Sequence, residues 1–363
     1  MRAIALFVAI LQFAFPLHPA ARITVVQLEE FLSSKLAAKG SDSEVADALM
    51  RVEMAEELTP STLTRIGREN RLRQKTVEQI RLLAAESVFE APPSAEWLEG
   101  PAPDAATQQR IVSLARSYAA TGLRHLPDFL AVRTTTTYGN APLPSETKSG
   151  KPVVRMRFVR QHRREVTYRD GAEVDQRAPG RGVSISGDGL STRGEFGPTL
   201  DMVLQGLEKG TVTWSRWQKG ASGARLAVFQ YSIPRAASEY LLDLCCFQTT
   251  VDDSAGVAIR DRPAYHGEIS INPDSGVVER VTVEAELSGD TPVRRCSIAV
   301  NYGGVKIDGK LYVCPVGGVA ILVFYSPSME RYDHIGIEKF INEIQFDEYH
   351  KFGSTSRIVN ADH

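Results

Sequence analysis

From Tyr265 to Val316, apolar and polar residues alternate with a period of two, which predicts consecutive β-hairpins. Tyr265, Gly267, Ile269 and Ile271 alternate with His266, Glu268, Ser270 and Asn272. Asn272-Pro273-Asp274-Ser275-Gly276 supplies turn residues, and Val281, Val283, Ala285 and Leu287 alternate on the return. Cys296, Ile298, Val300 and Tyr302 open a further run, which Asp308-Gly309 turns again. Alternation of this kind sets one row inward and one in water. The inward row is Ile269, Ile271, Val281, Val283, Ile298 and Val300, and it either packs solidly or lines a ligand cavity.

Upstream, from Thr24 to about Ala120, the period is helical. Thr24-Val25-Val26-Gln27 and Ser41-Asp42-Ser43-Glu44 are capping boxes, Thr59-Pro60 puts proline at a first helical position, and Thr76-Val77-Glu78-Gln79 opens a fourth helix. Ala91 to Pro103 is a proline-rich connector, after which Asp104 caps a longer helix with Ile111, Leu114 and Tyr118 inward. The period changes at Leu126-Pro127. Val132 to Tyr138 is rich in β-branched residues and predicts the first strand. Val154, Met156 and Phe158 alternate with Arg155, Arg157 and Val159, and Asp170-Gly171 predicts a hairpin turn. Ala178 to Gly194 reads as a mobile loop, Gly197-Pro198 as a helix start, and Thr211 to Trp217 and Leu226 to Ile233 as strands. An amphipathic turn over Ile337 to Ile344 leads to a last strand near Phe346 to Ile358. The fold class is α+β: a helical domain over 22–125, then an antiparallel β domain over 126–363 with short covering helices.

The N-terminus is different in kind. Arg2 precedes an apolar run beginning at Ala3, Pro16 and Pro19 break it, and Ala20-Ala21 supplies small residues. This pattern over 1–21 reads as a secretory signal peptide, with a core strand or a membrane anchor as the alternatives. The run is shorter than the ~20 residues of a spanning helix, and no second apolar segment is long enough. The expected location is outside the cytoplasm, periplasmic or secreted. Export permits disulfides among Cys245, Cys246, Cys296 and Cys314. Cys246 with Cys296 is the preferred pair, and four buried free thiols are the alternative.

Net charge is -2, with 42 basic and 44 acidic residues, so no overall field attracts nucleic acid. The motif inventory points away from familiar catalysis. No His stands at i,i+4 from another, and no zinc-protease, nucleophile-elbow or P-loop signature occurs. Gly187-Asp188-Gly189 followed by Gly194 is too loose for a dinucleotide fingerprint. No cofactor or metal is implied. Arg155 to Arg164 is the one basic cluster. It could meet phosphate or anionic lipid heads, but alternation with Met156 and Phe158 favours the wet face of an outer strand pair. Trp214 and Trp217 flank Arg216 at a spacing that points them to opposite faces, one to the core and one to a cavity or partner. Glu195 is a candidate acid and Asp252-Asp253 a candidate cation site, each better read as loop chemistry.

The run Tyr265-x-Gly-x-Ile269-x-Ile271-x-Pro273-x-x-Gly276, followed by Val300-x-Tyr302-x-x-Val305-x-Ile307-x-Gly309-Lys310-x-Tyr312, resembles uncharacterised exported bacterial proteins with a helical N-terminal region and an antiparallel β domain. The sheet half, about 131–363, is also similar to periplasmic lipoprotein carriers (LolA/LolB-like). The resemblance implies a curved half-barrel that wraps helices and binds acyl chains in an apolar cavity. The helical half has no counterpart in those carriers. The expected function is therefore non-enzymatic: an exported half-barrel that binds a lipid or acyl chain, or a protein partner, which the helical domain could also recruit. An exported hydrolase with an unmarked site near His266 or His350 is the alternative. Trp214, Trp217, Ile269, Ile271, Val281, Val283, Ile298 and Val300 are the candidate ligand-binding residues.

Overall fold

The computed structural model describes residues 21–70, 72–122, 126–150, 152–169, 172–174, 182–186, 189–193, 198–247, 257–333 and 335–351. The segment read as a signal peptide lies outside them, except for Ala21. The chain starts with β1 (Ala21–Ile23), α1 (Val25–Ala37), α2 (Asp42–Leu49), β2 (Val52–Met54), α3 (Pro60–Glu69) and α4 (Gln74–Ser87). β1 and β2 pair in parallel, and the helices share a core of Leu28, Leu32, Leu49, Ile66, Ile80 and Leu83.

Two capping boxes form as expected. Gln27 N donates to Thr24 Oγ1 at 3.3 Å while Thr24 N donates to Gln27 Oε1 at 2.9 Å, and Ser41 and Glu44 exchange the same bonds at 3.3 and 2.8 Å. Thr59 caps α3, with Pro60 at its first position. α4 departs from expectation. It begins at Gln74, and its N-cap Arg73 makes no side-chain cap bond. The orphan amides of Lys75 and Thr76 donate instead to the Asp42 carboxylate on α2, at 3.1 and 3.0 Å, and Thr76 Oγ1 adds a bond of 2.7 Å. A cap lent by a neighbouring helix satisfies the same amides but leaves no local signature. Burial pulls the Asp42 pKa up, yet the donors of Thr76 and Lys75 outweigh it and hold the carboxyl below its ordinary value.

α5 (Ala105–Gly122), β3 (Phe129–Gly139), α6 (Pro144–Lys148), β4 (Arg157–Arg169), β5 (Ala172–Val174), β6 (Gly182–Ser186) and β7 (Gly189–Arg193) follow. Next come α7 (Pro198–Gly206), β8 (Thr211–Lys219), β9 (Arg225–Ile233), β10 (Leu242–Phe247) and β11 (Val257–Asp261). The chain continues with β12 (Ala264–Ile271), β13 (Val278–Glu286), β14 (Val293–Ile307), β15 (Lys310–Tyr325), α8 (Pro327–Asp333) and β16 (Ile337–Lys351). Ten strands form one open antiparallel sheet in the order β5-β4-β3-β16-β15-β14-β13-β12-β9-β8. A second sheet runs β11-β10-β6-β7, with β6 parallel to β10. The β6–β7 hairpin stands where a loop was expected over Ala178 to Gly194.

The patterned stretch folds as its alternation predicts. Asn272 Oδ1 accepts from the amides of Asp274 and Ser275, each at 3.1 Å, which closes the turn between β12 and β13. Gly276 completes it at φ 74°, and a Cβ there would stand 2.5 Å from the Leu114 carbonyl of α5. Glycine is thus required twice, by dihedral and by close approach. Asp308 and Gly309, at φ 51° and 78°, make the two-residue turn between β14 and β15. Asp170-Gly171 lies outside the described residues, although the strands it joins do pair.

Two expectations are corrected. Ile337 to Ile344 is extended and forms the first half of β16. Both faces of β16 are covered: Ile341 packs with Leu82 and Ala85 of α4, and Phe340 packs on the opposite core. Apolar residues on both faces erase the period of two and imitate a helical spacing. α5, grouped on sequence with the helical domain, gives Ile111, Ala115 and Ala119 to the core of the sheet. α1 to α4 are held on the other face by the contacts of α4, by Lys339–Glu86 at 2.7 Å, and by Arg280–Glu57 at 2.6 Å.

Candidate functional site along a cross-sheet row

The six residues of the predicted inward row share one face of the sheet and one core, and none is more than 3% exposed. Ile111 and Ala115 of α5 and Leu200, Val203 and Leu204 of α7 fill the space against them. The strand register carries this row across the sheet. Trp214 is paired with Phe229, and the line continues through Ile269, Val281, Val300, Gly318, Ile344 and Thr135 to His162. The neighbouring line runs Val283, Ile298, Ala320, Asn342, Thr137 and Arg160. Both lines start apolar near β12 and end in cationic or titratable side chains on β4. Asn342 and Thr137 are buried midway, and Arg133 beside them is 2% exposed with its guanidinium 5.7 Å from the Phe346 ring.

Trp214 and Trp217 do not point to opposite faces. Trp214 pairs with Phe229 and Arg216 with Val228, so Ser215 is an extra residue on β8. This bulge resets the alternation and turns both indoles to the same core, with ring centroids 4.8 Å apart. Arg216 is left on the other face. It is buried there by a two-pronged pair with Glu268, at 2.7 Å for each bond, and its guanidinium lies 5.8 Å from the Trp97 ring. The Trp217 indole donates to Pro101 O at 2.9 Å, Leu98 N donates to Trp217 O at 3.0 Å, and Arg225 covers the same ring at 4.1 Å. The proline-rich connector therefore covers the β8 edge at Trp217.

The bridge expected between Cys246 and Cys296 is not formed: Cys296 is a free, buried thiol, 3.6 Å from the Tyr240 hydroxyl. The side chain of Cys246 is outside the described ones. Burial pushes Cys296 and Cys314 each up to about 12, so neither supplies a thiolate at neutral pH. His266 lies 3.3 Å from Glu286, but both are about half exposed. Among the described residues, no serine or cysteine hydroxyl or thiol is bonded to a histidine, and no group of His, Cys, Asp and Glu is placed to hold a metal. His125, His334, Glu195 and Asp252-Asp253 lie outside the described residues.

At the β4 end, β5 covers only Thr167 to Arg169, and among the described residues no strand pairs with the outer side of 157–166. Arg157 organises this end. Its guanidinium donates to Glu146 Oε2 at 2.8 Å, to Val153 O at 2.6 Å and to Arg155 O at 3.4 Å, while the Leu143 amide donates to the same Glu146 at 2.9 Å. These donors, Arg157 foremost, hold the Glu146 carboxyl below its ordinary value. A second bulge, between Thr137–Arg160 and Tyr138–Phe158, leaves Val159 without a partner on β3. Phe158 packs on Tyr138 on the α4 side and Val159 stands with Phe340 at Gly139 on the opposite side, so the two flank the β4 edge, 58% and 51% exposed; Leu143 is 45% and Val153 43% exposed. Sequence reasoning passed over them, although two consecutive apolar residues in an alternating basic run are the signal of a bulge.

No family model, curated protein or solved structure matches this chain.

Proposed function

We propose that the chain is an exported, non-enzymatic binding protein, a half-barrel whose working surface is the basic and apolar end at β4. One observation supports this over the acyl-cavity version: the six candidate cavity residues are packed against α5 and α7, whereas Phe158 and Val159 are uncovered. An acyl chain would have to lift both helices from an apolar core of this size. The exposed end offers binding with no such rearrangement. Export rests on the N-terminal pattern. Among the described residues, no helix is long and apolar enough to cross a membrane.

Titration with a fluorescent fatty acid tests the location of binding. The expected result is no saturable one-to-one uptake. Saturable uptake that the double variant Phe158→Ser/Val159→Ser leaves unchanged would put the site under α5 and α7. Fractionation of expressing cells tests export: a periplasmic chain starting near Arg22 is expected, and a cytoplasmic chain with its N-terminus intact contradicts it.

A further inference from the structure

The geometry points to an anionic lipid surface as the partner of the β4 end, an inference that rests on the location proposed above and names its chemistry. Four apolar side chains, Leu143, Val153, Phe158 and Val159, are 43% to 58% exposed. The segments that carry them are held together at the β4 edge, because the Arg157–Glu146 pair joins the start of α6, the segment before β4 and β4 itself. Tyr138 packs edge-on to Phe158 at 6.4 Å on the α4 side, and Val159 stands with Phe340 at Gly139 on the other. The β4 edge is therefore a preformed rim with one apolar side chain on each face.

Its charge is one-sided. Arg155 is exposed and adds its charge to that of Arg157 on Glu146, and Arg160 is half-buried, so cations outnumber the one carboxylate at this end. Glu146 is already occupied by Arg157. Cations alone would be explained by protection of an open sheet edge, where arginine discourages pairing with another strand. Protection does not explain adjacent exposed Phe158 and Val159, since apolar residues on an open edge invite the pairing that the arginines oppose. Cations flanking a small apolar surface match the boundary of a bilayer with acidic headgroups: the arginines meet phosphates while the apolar side chains enter the acyl margin. A second copy of the chain is disfavoured, because antiparallel pairing of β4 with itself would juxtapose arginines.

Flotation of the full chain with phosphatidylglycerol-containing and with pure phosphatidylcholine vesicles tests this. Arg2 and the terminal amine would by themselves favour anionic vesicles, so the β4 variants in the same full chain, and not the ratio alone, isolate the contribution of the β4 end. Anionic vesicles are expected to bind at least about tenfold better, an advantage lost at high salt. Arg155→Glu/Arg160→Glu should abolish the preference, and Phe158→Ser/Val159→Ser should lower binding several-fold with the fold intact by circular dichroism. Leu311→Ser, an equally simple change at a residue 69% exposed on the β14–β15 turn, should change nothing. Equal binding to both vesicles, or binding indifferent to the β4 variants, overturns the proposal. So does a preference for polyglutamate over anionic vesicles that Phe158→Ser/Val159→Ser leaves intact, which would assign the cations to an acidic protein. Neither result bears on the fatty-acid titration, so failure of lipid docking is separable from failure of the proposed location.

Discussion

The two edges of the ten-stranded sheet meet solvent in opposite ways. At β8, the connector lays Leu98 and Pro101 against Trp217, and the bulge at Ser215 drives Arg216 into a buried pair with Glu268. At β4, Phe158 and Val159 flank a bulge and are 58% and 51% exposed, and among the described residues no strand pairs with the outer side there. Both edges carry a bulge, which resets the face that each following side chain takes. What differs is the supply of covering chain. A proline-rich segment, limited to the single 3-10 turn Ser94–Glu96, is free to lie along β8. The short α6 instead anchors through Glu146, and among the described residues no strand covers the outer side of 157–166.

The sharpest way to break this contrast is Glu268→Ala. It removes the charged partner of Arg216, whose side chain is 3% exposed, and leaves it the neutral acceptors Gln218 and Ser215, and it should lower unfolding free energy by about 2 to 3 kcal/mol in denaturant titration. A change under about 1 kcal/mol would mean that the β8 edge is not locked by this pair. Gly276→Ala should cost about 2 kcal/mol, since it combines a positive φ with a Cβ 2.5 Å from the Leu114 carbonyl. A neutral result would show that the turn does not bear on α5. Trp217→Phe keeps a ring but removes the bond to Pro101 and should cost about 1 kcal/mol. It should also speed amide exchange at Leu98, and unchanged exchange there would detach the connector from the edge. At the open edge, Arg155→Glu/Arg160→Glu should alter stability by no more than about 0.5 kcal/mol while removing vesicle preference.

Acid separates the helical region from the sheet. Because the folded pKa of Asp42 is lowered from 3.8, its contribution is fully present above that value and is lost as pH falls through the folded pKa. Loosening of α4 should therefore grow below about pH 4 and be independent of pH in Asp42→Asn. Equal acid sensitivity in the variant would remove Asp42 as the cap of α4.

What could be read from the sequence was whatever rests on local chemistry. Thr24, Ser41 and Thr59 cap helices with their own neighbours, and Asp308-Gly309 turns a hairpin with its own dihedrals. The inward row was legible for the same reason, since period two is a property of the strand itself. Asp42 capping α4 was not legible, because donor and acceptor are more than thirty residues apart. The side reached by Trp217 was hidden by a bulge, which only the pairing strand defines. The expected Cys246–Cys296 bridge failed because a buried Cys296 is already accommodated beside Tyr240. The polar end of the row escaped notice because β3, β4 and β16 come together from opposite ends of the domain.

The most direct test of the account is hydrogen exchange of the full chain, free and bound to anionic vesicles. Protection on binding should be confined to peptides covering Leu143 to Glu165, with β8, α5 and the strands of the apolar row unchanged. Protection or opening at α5, α7 and β12 to β14, with none at β4, would return the working surface to the buried row and contradict the account.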